Sequence, residues 1–426
     1  MAWRTPLAAL VAVRLAIPLG ALAASGHDLP GVPRYDYVAI TGDATGFYAA
    51  AREFLASWGR LGVPVVAALA AATVAAAALL VRAWRRRSVG RHWLVALGAL
   101  GFALVASAAV AKMHPPGAAV FGWPLVWSLP MLPYRALGAP LDPDIAFAFG
   151  LPLSLLANAV TVVATAYVGF YATGRRSIGL GAATLYSFWP LLVGLIGGSR
   201  AWENGTWTVD AGLALYTEPL STALAATAAA LLLSPGLTEL RLATSGVLLA
   251  LATAVKLTNG LLAAALLVLV ARRLGARGAL PYLAGALSLA PLVAVYWPKG
   301  YSAQFDNANS WPRHPFSTDY VVRSWTDSLL FTPRTLLVLV PMSIVGAIAL
   351  RAWWPRAVLV AWALVNPVFY SFYANTPEHP RFLFASLPAV IVLWVVGLAT
   401  VAVAVVHVAR RRKLEPMAPM TRKRKS

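Results

Sequence analysis

The sequence predicts an all-α protein, a polytopic bundle of transmembrane helices, and three observations predict that class. The 426-residue chain is 60% hydrophobic and only 12% charged, with a mean hydropathy of +0.71, whereas soluble domains carry roughly 25% charged residues. Many windows of about 20 residues lack charge, which is the length of a helix that crosses roughly 30 Å of hydrocarbon. These runs are also too long for the strands of a membrane barrel.

Taken in order, twelve apolar runs are candidate membrane spans. The first contains Arg14 and ends near Ala21-Leu22-Ala23, which resembles a signal-peptide cleavage site, but we expect it to be a retained helix because eleven more runs follow. The runs lie at 5–24, 61–81, 93–111, 145–172, 178–197, 219–233, 241–256, 258–271, 279–297, 334–350, 357–373 and 382–408.

A thirteenth apolar piece, at 118–133, is short and contains three prolines, so we interpret it as a juxtamembrane or re-entrant element. Charge asymmetry supports this choice. If the piece does not cross, 22 of the 35 basic residues but only 2 of the 15 acidic residues lie on one side of the membrane. The positive-inside rule then predicts about twelve spans with both termini in the cytoplasm.

This topology predicts one membrane domain, residues 1–408, and a basic cytoplasmic tail, residues 409–426, suited to contact with anionic membrane lipids. The basic residues are scattered between apolar runs, so we do not expect a nucleic-acid partner. Without cysteine, the chain has no disulfide framework and no thiolate nucleophile. The external polar loops, which we expect to carry short interfacial helices, are 25–60, 112–144, 198–218, 298–333 and 374–381.

The first external loop carries Asp43 directly before an amphipathic pattern. Phe47, Phe54 and Trp58 recur at helical spacing, which predicts a helix that lies in the membrane interface with its apolar face down. Asp43 is then the N-cap of that helix, a catalytic carboxylate, or both, because a carboxylate that accepts from backbone N–H groups can still take a proton.

Cationic side chains occur at the ends of two other runs. Lys112 and His114 precede paired prolines, which either simply end the helix or hold a cation and an imidazole where a lipid-linked phosphate would bind. Lys256 stands between two apolar runs, where an ammonium needs water, an anion or the headgroup layer, the last of which it can reach by extending its side chain.

Two more polar groups lie at span starts. Glu218 is in the first turn of its predicted helix, where the helix dipole favours a carboxylate, so its role is either structural or functional. His379 and Arg381 directly precede the last run. A planar guanidinium suits bidentate phosphate binding, unless Glu378 neutralises Arg381 in an interfacial ion pair.

Some chemistry is disfavoured by the sequence. There is no Gly-rich nucleotide loop or Walker motif, which argues against ATP or nucleotide-sugar chemistry. The His, Asp and Glu residues are too dispersed for a recognisable metal site, so we expect no metal and no cofactor, although Asp142-Pro143-Asp144 leaves a divalent cation open.

Four short motifs now carry a resemblance. GDATGFYAAAREF in the first external loop, then HPPG, TEP and HPRF, all in this order and on one predicted side, resemble the GT-C superfamily over 42–388. These are polytopic glycosyltransferases that use polyprenyl-phosphate sugars, and the resemblance is to the branch of protein mannosyltransferases and lipid A aminoarabinose transferases. Two spans separate Asp43 from HPPG here, and Ala44 follows Asp43 where a second acid would lie.

The resemblance implies roles for particular residues. Asp43 matches the first-loop acid, the catalytic base, and Glu218 matches the acid of the TE motif, which binds acceptor or is structural. The matches for binding the donor phosphate are Lys112, His114, Lys256, His379 and Arg381.

We therefore expect an inverting glycosyltransferase, a hexosyl- or pentosyltransferase and by resemblance a mannosyltransferase, in the plasma membrane with an extracytoplasmic site. Its partners would be a polyprenyl-phosphate sugar, membrane lipids, and a glycan, lipid or protein acceptor. The loop 298–333, rich in Trp and amides, suits either that acceptor or an interfacial aromatic belt. A transporter or flippase of a lipid-linked or small polar substrate is the main alternative, and a non-catalytic assembly subunit is another.

Overall fold

The computed structural model describes residues 3–27, 36–60, 90–111, 121–197, 206–294, 316–323, 333–373, 381 and 383–414, with scattered positions between 71 and 86. Within these ranges the chain is α-helical and forms no strand, and one isolated bridge joins Phe316 to Tyr373. Four helical segments are long and apolar enough to cross a membrane, namely Arg4–Ala23, Pro143–Thr173, Asn259–Leu287 and Phe384–Arg410.

Most of the α-helices coincide with predicted apolar runs, and the others lie in predicted external loops. In the described part of the chain they are α1 (Arg4–Ala23), α2 (Asp43–Arg60), α3 (Arg91–Ala111), α4 (Gly122–Ala136), α5 (Pro143–Thr173), α6 (Arg176–Gly197), α7 (Thr206–Ala211), α8 (Glu218–Leu233), α9 (Glu239–Val255), α10 (Asn259–Leu287), α11 (Tyr320–Arg323), α12 (Pro333–Ala349), α13 (Trp353–Ser371) and α14 (Leu387–Leu414). Most of the predicted run at 61–81 lies outside the described residues.

Local chemistry explains where several helices begin and end. Asp142 caps α5 by accepting a hydrogen bond from the Ile145 amide at 2.8 Å, with Pro143 in the first helical position. The same helix ends at Gly174, whose φ of 70° is left-handed. Thr238 caps α9 through the Arg241 amide at 3.3 Å.

Two predicted runs, 258–271 and 279–297, overlap one long element, α10. Gly275 interrupts that element with φ 75° and ψ 169°, which no helical residue adopts. The break falls between the two runs, so α10 consists of two helical segments joined at a glycine. The short piece at 118–133 corresponds to α4, a 15-residue helix that packs against α2 and buries Trp123 and Trp127.

Close helix pairs hold the bundle together. The helix α8 lies centrally and packs against both α5 and α9, while α9 also packs along α10. The pair α12 and α14 meets through glycines, because a Cβ on Gly346 would collide with the Leu393 carbonyl oxygen and one on Gly397 with that of Met342. This contact fixes α14, the helix that follows Arg381, against the rest of the bundle.

Candidate functional site

Asp43 and Arg381 form an ion pair between the first and last parts of the chain. The helix α2 begins at Asp43, so this acid lies in its first turn, where the dipole favours a negative charge. Arg381 Nη2 donates to Asp43 Oδ2 at 2.6 Å. The arginine side chain is 9% exposed but that of Asp43 is 52% exposed, so this carboxylate remains accessible from outside the bundle.

Tyr216 completes this part of the cluster. Its hydroxyl oxygen accepts a hydrogen bond from the Asp43 backbone N–H at 3.3 Å, and its ring lies 4.8 Å from the Arg381 guanidinium carbon, a cation–π distance. Burial raises the pKa of the Tyr216 phenol, and the neighbouring guanidinium opposes that shift. The phenol is therefore neutral at physiological pH and serves as a polar support for the start of α2.

A second ion pair lies deeper. Lys256 Nζ is 2.9 Å from Glu218 Oε1, and the two side chains are only 7% and 4% exposed. Thr217 donates its hydroxyl to the other carboxylate oxygen at 3.1 Å, and the Lys256 ammonium lies 5.6 Å from the Tyr370 ring centroid. The predicted choice for Lys256 between an anion and the headgroup layer is thereby answered, because it binds a buried carboxylate.

The two pairs belong to one cluster. Arg381 lies close enough to Glu218 for their charges to attract, and Asp43 does the same with Lys256. Two carboxylates and two cations thus alternate within one region. They come from the first turn of α2, the first turn of α8, the junction of α9 and α10, and the segment before α14.

The backbone next to these side chains departs from helical geometry at two positions. Lys256 leaves helical geometry with φ −148° and ψ 110°. The side-chain Nδ2 of Asn259 donates to the carbonyls of Ala252 and Lys256, both at 3.2 Å, and so links the end of α9 to the start of α10. Gly42, directly before Asp43, has φ +55° and packs so closely on the Tyr216 hydroxyl that a Cβ there would collide with it.

Four of the seven predicted site residues therefore meet: Asp43, Glu218, Lys256 and Arg381. The other three, Lys112, His114 and His379, lie outside the described residues, as does Glu378, the predicted alternative partner of Arg381. Most of the predicted acceptor loop 298–333 also lies outside them.

The sequence reasoning missed the aromatic members of the site. Tyr216 is part of the same Y-T-E-P stretch as Glu218, but nothing in its spacing indicated a contact with Asp43, 173 residues away. Tyr370, near the end of α13, reads as an ordinary interfacial aromatic. The deep burial of Arg14, described below, was visible only as a charge inside an apolar run.

The acids at 142 and 144 have structural partners. Asp142 caps α5, and Asp144 accepts a hydrogen bond from the Tyr37 hydroxyl at 3.2 Å. Within the described residues no group of three or more His, Cys, Asp or Glu side chains is arranged to hold a metal ion. No family model matches this sequence, and no curated protein matches it either.

Proposed function

We propose that this protein is an inverting glycosyltransferase that moves a sugar from a polyprenyl phosphate to an acceptor hydroxyl on the extracytoplasmic face of the plasma membrane. The proposal includes about twelve spans with cytoplasmic termini, as charge asymmetry predicts. It rests on one observation above the rest, the meeting of Asp43, Glu218, Lys256 and Arg381 from four distant segments.

The exposed carboxylate is suited to the proton transfer. In the proposed reaction, Asp43 takes the proton of the acceptor hydroxyl while the oxygen of that hydroxyl attacks the anomeric carbon. The bond from that carbon to the phosphate oxygen breaks on the opposite face, so the configuration inverts. A single base suffices, in contrast to hydrolysis of an ordinary glycoside, which uses two carboxylates.

The cations are suited to the leaving group. The donor is a phosphodiester with one negative charge, and the departing polyprenyl phosphate has a second charge, so negative charge grows at the phosphate during the reaction. A guanidinium can bind two phosphate oxygens at once, which suits Arg381 to this role. When the phosphate engages Arg381, the carboxylate of Asp43 is released from its present ion pair and is available to the acceptor hydroxyl.

The buried pair has a supporting role in this scheme. Glu218 holds Lys256 in place beneath Arg381, and the ammonium adds positive potential at the phosphate without itself leaving the protein interior. In the same proposal, Lys112, His114 and His379 supply further donors to the phosphate from the loops that carry them.

The direct test is transfer by the purified protein in detergent. Polyprenyl-phosphate sugars are supplied with candidate acceptors, and both free polyprenyl phosphate and glycosylated product are measured. Loss of the general base in Asp43→Asn should lower kcat by about 10²–10⁴-fold. The matched control is Glu53→Gln, the same acid-to-amide change about 15 Å further along α2. A folded Asp43→Asn variant with native kcat would remove Asp43 from the mechanism.

A second candidate, a transporter or flippase, is favoured by a specific observation. The Glu218–Lys256 pair is buried at a helix break, and many transporters form their substrate site from charged residues at such a break. Reconstitution in liposomes separates the two functions. A transporter would move a lipid-linked sugar between leaflets and release no polyprenyl phosphate, whereas the transferase releases it in step with product.

A further inference from the structure

A second buried polar cluster surrounds Arg14, in the middle of α1. Its guanidinium is 1% exposed and reaches three acceptors on three other elements. Nη2 donates to Asn158 Oδ1 at 2.9 Å and to the Asp210 carbonyl oxygen, and Nη1 donates to the Tyr186 carbonyl oxygen at 3.3 Å. The Tyr186 ring also lies 4.8 Å from the guanidinium carbon.

A charge buried among apolar helices is costly, so its partners matter. The carboxyl group of Asp210 is 2% exposed and lies close enough to attract the guanidinium, although burial raises its pKa to about 7 against that attraction. A lysine or a neutral residue could not make the contacts that Arg14 makes, because only the planar guanidinium presents five N–H donors in diverging directions.

The Asp210 carbonyl lies at the end of α7, directly before the irregular segment 212–217, which joins α7 to α8 and leads directly into the candidate site. Side-chain donors hold it at two further carbonyls. Ser154 Oγ donates to Gly212 O at 2.7 Å, and Trp123 Nε1 donates to Leu215 O at 2.6 Å. Leu215 itself has a φ of +52°, a left-handed conformation that a leucine does not adopt without such support.

We propose that Arg14 is a positioning residue for the candidate site. By binding the Asp210 carbonyl it fixes the end of α7, from which the segment 212–217 departs, so that Tyr216 reaches the start of α2 and Glu218 reaches Lys256. The inference rests on the proposed function for its catalytic consequence alone, since the placement of the segment can be measured without any substrate.

The absence of native cysteine makes the test direct. Ala214, half-buried within the segment, is replaced by cysteine, and its rate of modification by a water-soluble maleimide is measured in detergent. Ala136→Cys, exposed at the end of α4, is the matched control. Each reporter is combined with Arg14→Met, with Arg14→Lys, and with the double change Arg14→Met and Asp210→Asn, which removes both charges.

With Arg14 replaced, the segment should open more often. The modification rate at position 214 should rise about tenfold or more, the effect expected for losing hydrogen bonds to a charged donor, while the rate at 136 stays the same. Arg14→Lys should behave like Arg14→Met, because an ammonium cannot span the three acceptors. The double change should be modified as fast as Arg14→Met, because it also lacks the guanidinium that binds the Asp210 carbonyl.

Two results would overturn the proposal. One is a native modification rate at position 214 in any folded Arg14 variant, the double change included. The other is an equal rise at positions 214 and 136, which would mean general loosening. If native transfer is detected, kcat should fall in the variants with faster modification. If native protein shows no transfer, the proposed function fails while the modification rates still decide the role of Arg14.

Discussion

Replacing Lys256 by methionine removes one partner of the buried ion pair while nearly preserving side-chain length. The Glu218 carboxylate, 4% exposed, would then lose the ammonium that now lies 2.9 Å away. Breaking a buried pair in this way costs about 3–5 kcal/mol, because the remaining charge is left without its compensating partner. Arg381 also attracts Glu218, which places the expected loss toward the lower end of that range.

The loss is measurable as a shift in thermal midpoint. With an unfolding entropy of about 2.1 cal/mol/K per residue, a loss of 3–5 kcal/mol in this 426-residue chain lowers Tm by about 3–6 °C. The 16 tryptophans provide an intrinsic fluorescence signal for unfolding in detergent. The measurement is made at neutral pH, at matched protein and detergent concentrations.

A matched double variant separates pairing from simple loss of contacts. Lys256→Met combined with Glu218→Gln removes both charges and keeps the volume, so its Tm should lie closer to native than that of Lys256→Met. The reasoning would be refuted if Lys256→Met alone left Tm unchanged. It would equally be refuted if the double variant were destabilised by the sum of the two single changes, because the pair would then have no coupling.

Two further predictions concern the Asp43–Arg381 ion pair and the neighbouring Tyr216. Arg381→Lys keeps the charge but loses the planar guanidinium that binds Asp43 and stacks on Tyr216. The efficiency of transfer should therefore fall about tenfold, mainly as a higher KM for the donor. An unchanged KM would contradict phosphate binding by Arg381. For Tyr216 the raised pKa means that the folded protein keeps the phenol proton at a pH where the unfolded chain loses it. Stability should therefore fall as pH rises past about 10, and Tyr216→Phe should show a shallower fall in Tm over the same interval; parallel curves for the two proteins would show that the phenol does not titrate differently on folding.

Most of the helices were predictable to within a few residues because they depend on local signals, whereas the short helices α7 and α11 lie in loops for which the sequence predicted no helix bounds. Apolar runs fixed their interiors, and the boundaries follow from residues such as the capping Asp142 and the terminal Gly174, both of which act within one turn of the chain. The start of α2 at Asp43 was also local, although the helix includes the acid itself, where the sequence suggested only a cap.

The pairing inside the site was not predictable, because it depends on contacts between remote segments. Local patterns indicated that Lys256 needs water, an anion or the headgroup layer, and they offered Arg381 a nearby carboxylate, Glu378. They did not indicate which distant segments would supply the partners. The partner of Arg381 among the described residues, Asp43, is 338 residues away. The same is true of Arg14. A charge within an apolar run indicates a free-energy cost of burial, but it does not reveal which helices supply the groups that offset that cost.

The ion pair between the first and last described loops also sets an order of assembly during synthesis. At about 5–20 residues per second, the ribosome reaches Arg381 about 17–70 s after Asp43 has been made. Throughout that interval the carboxylate stands beside an incomplete bundle, and Glu218 and Lys256 have both been made before Arg381. A nascent chain stopped before position 381 would lack both the guanidinium of this pair and the whole of α14, so the glycine contact between α14 and α12 is among the last to form.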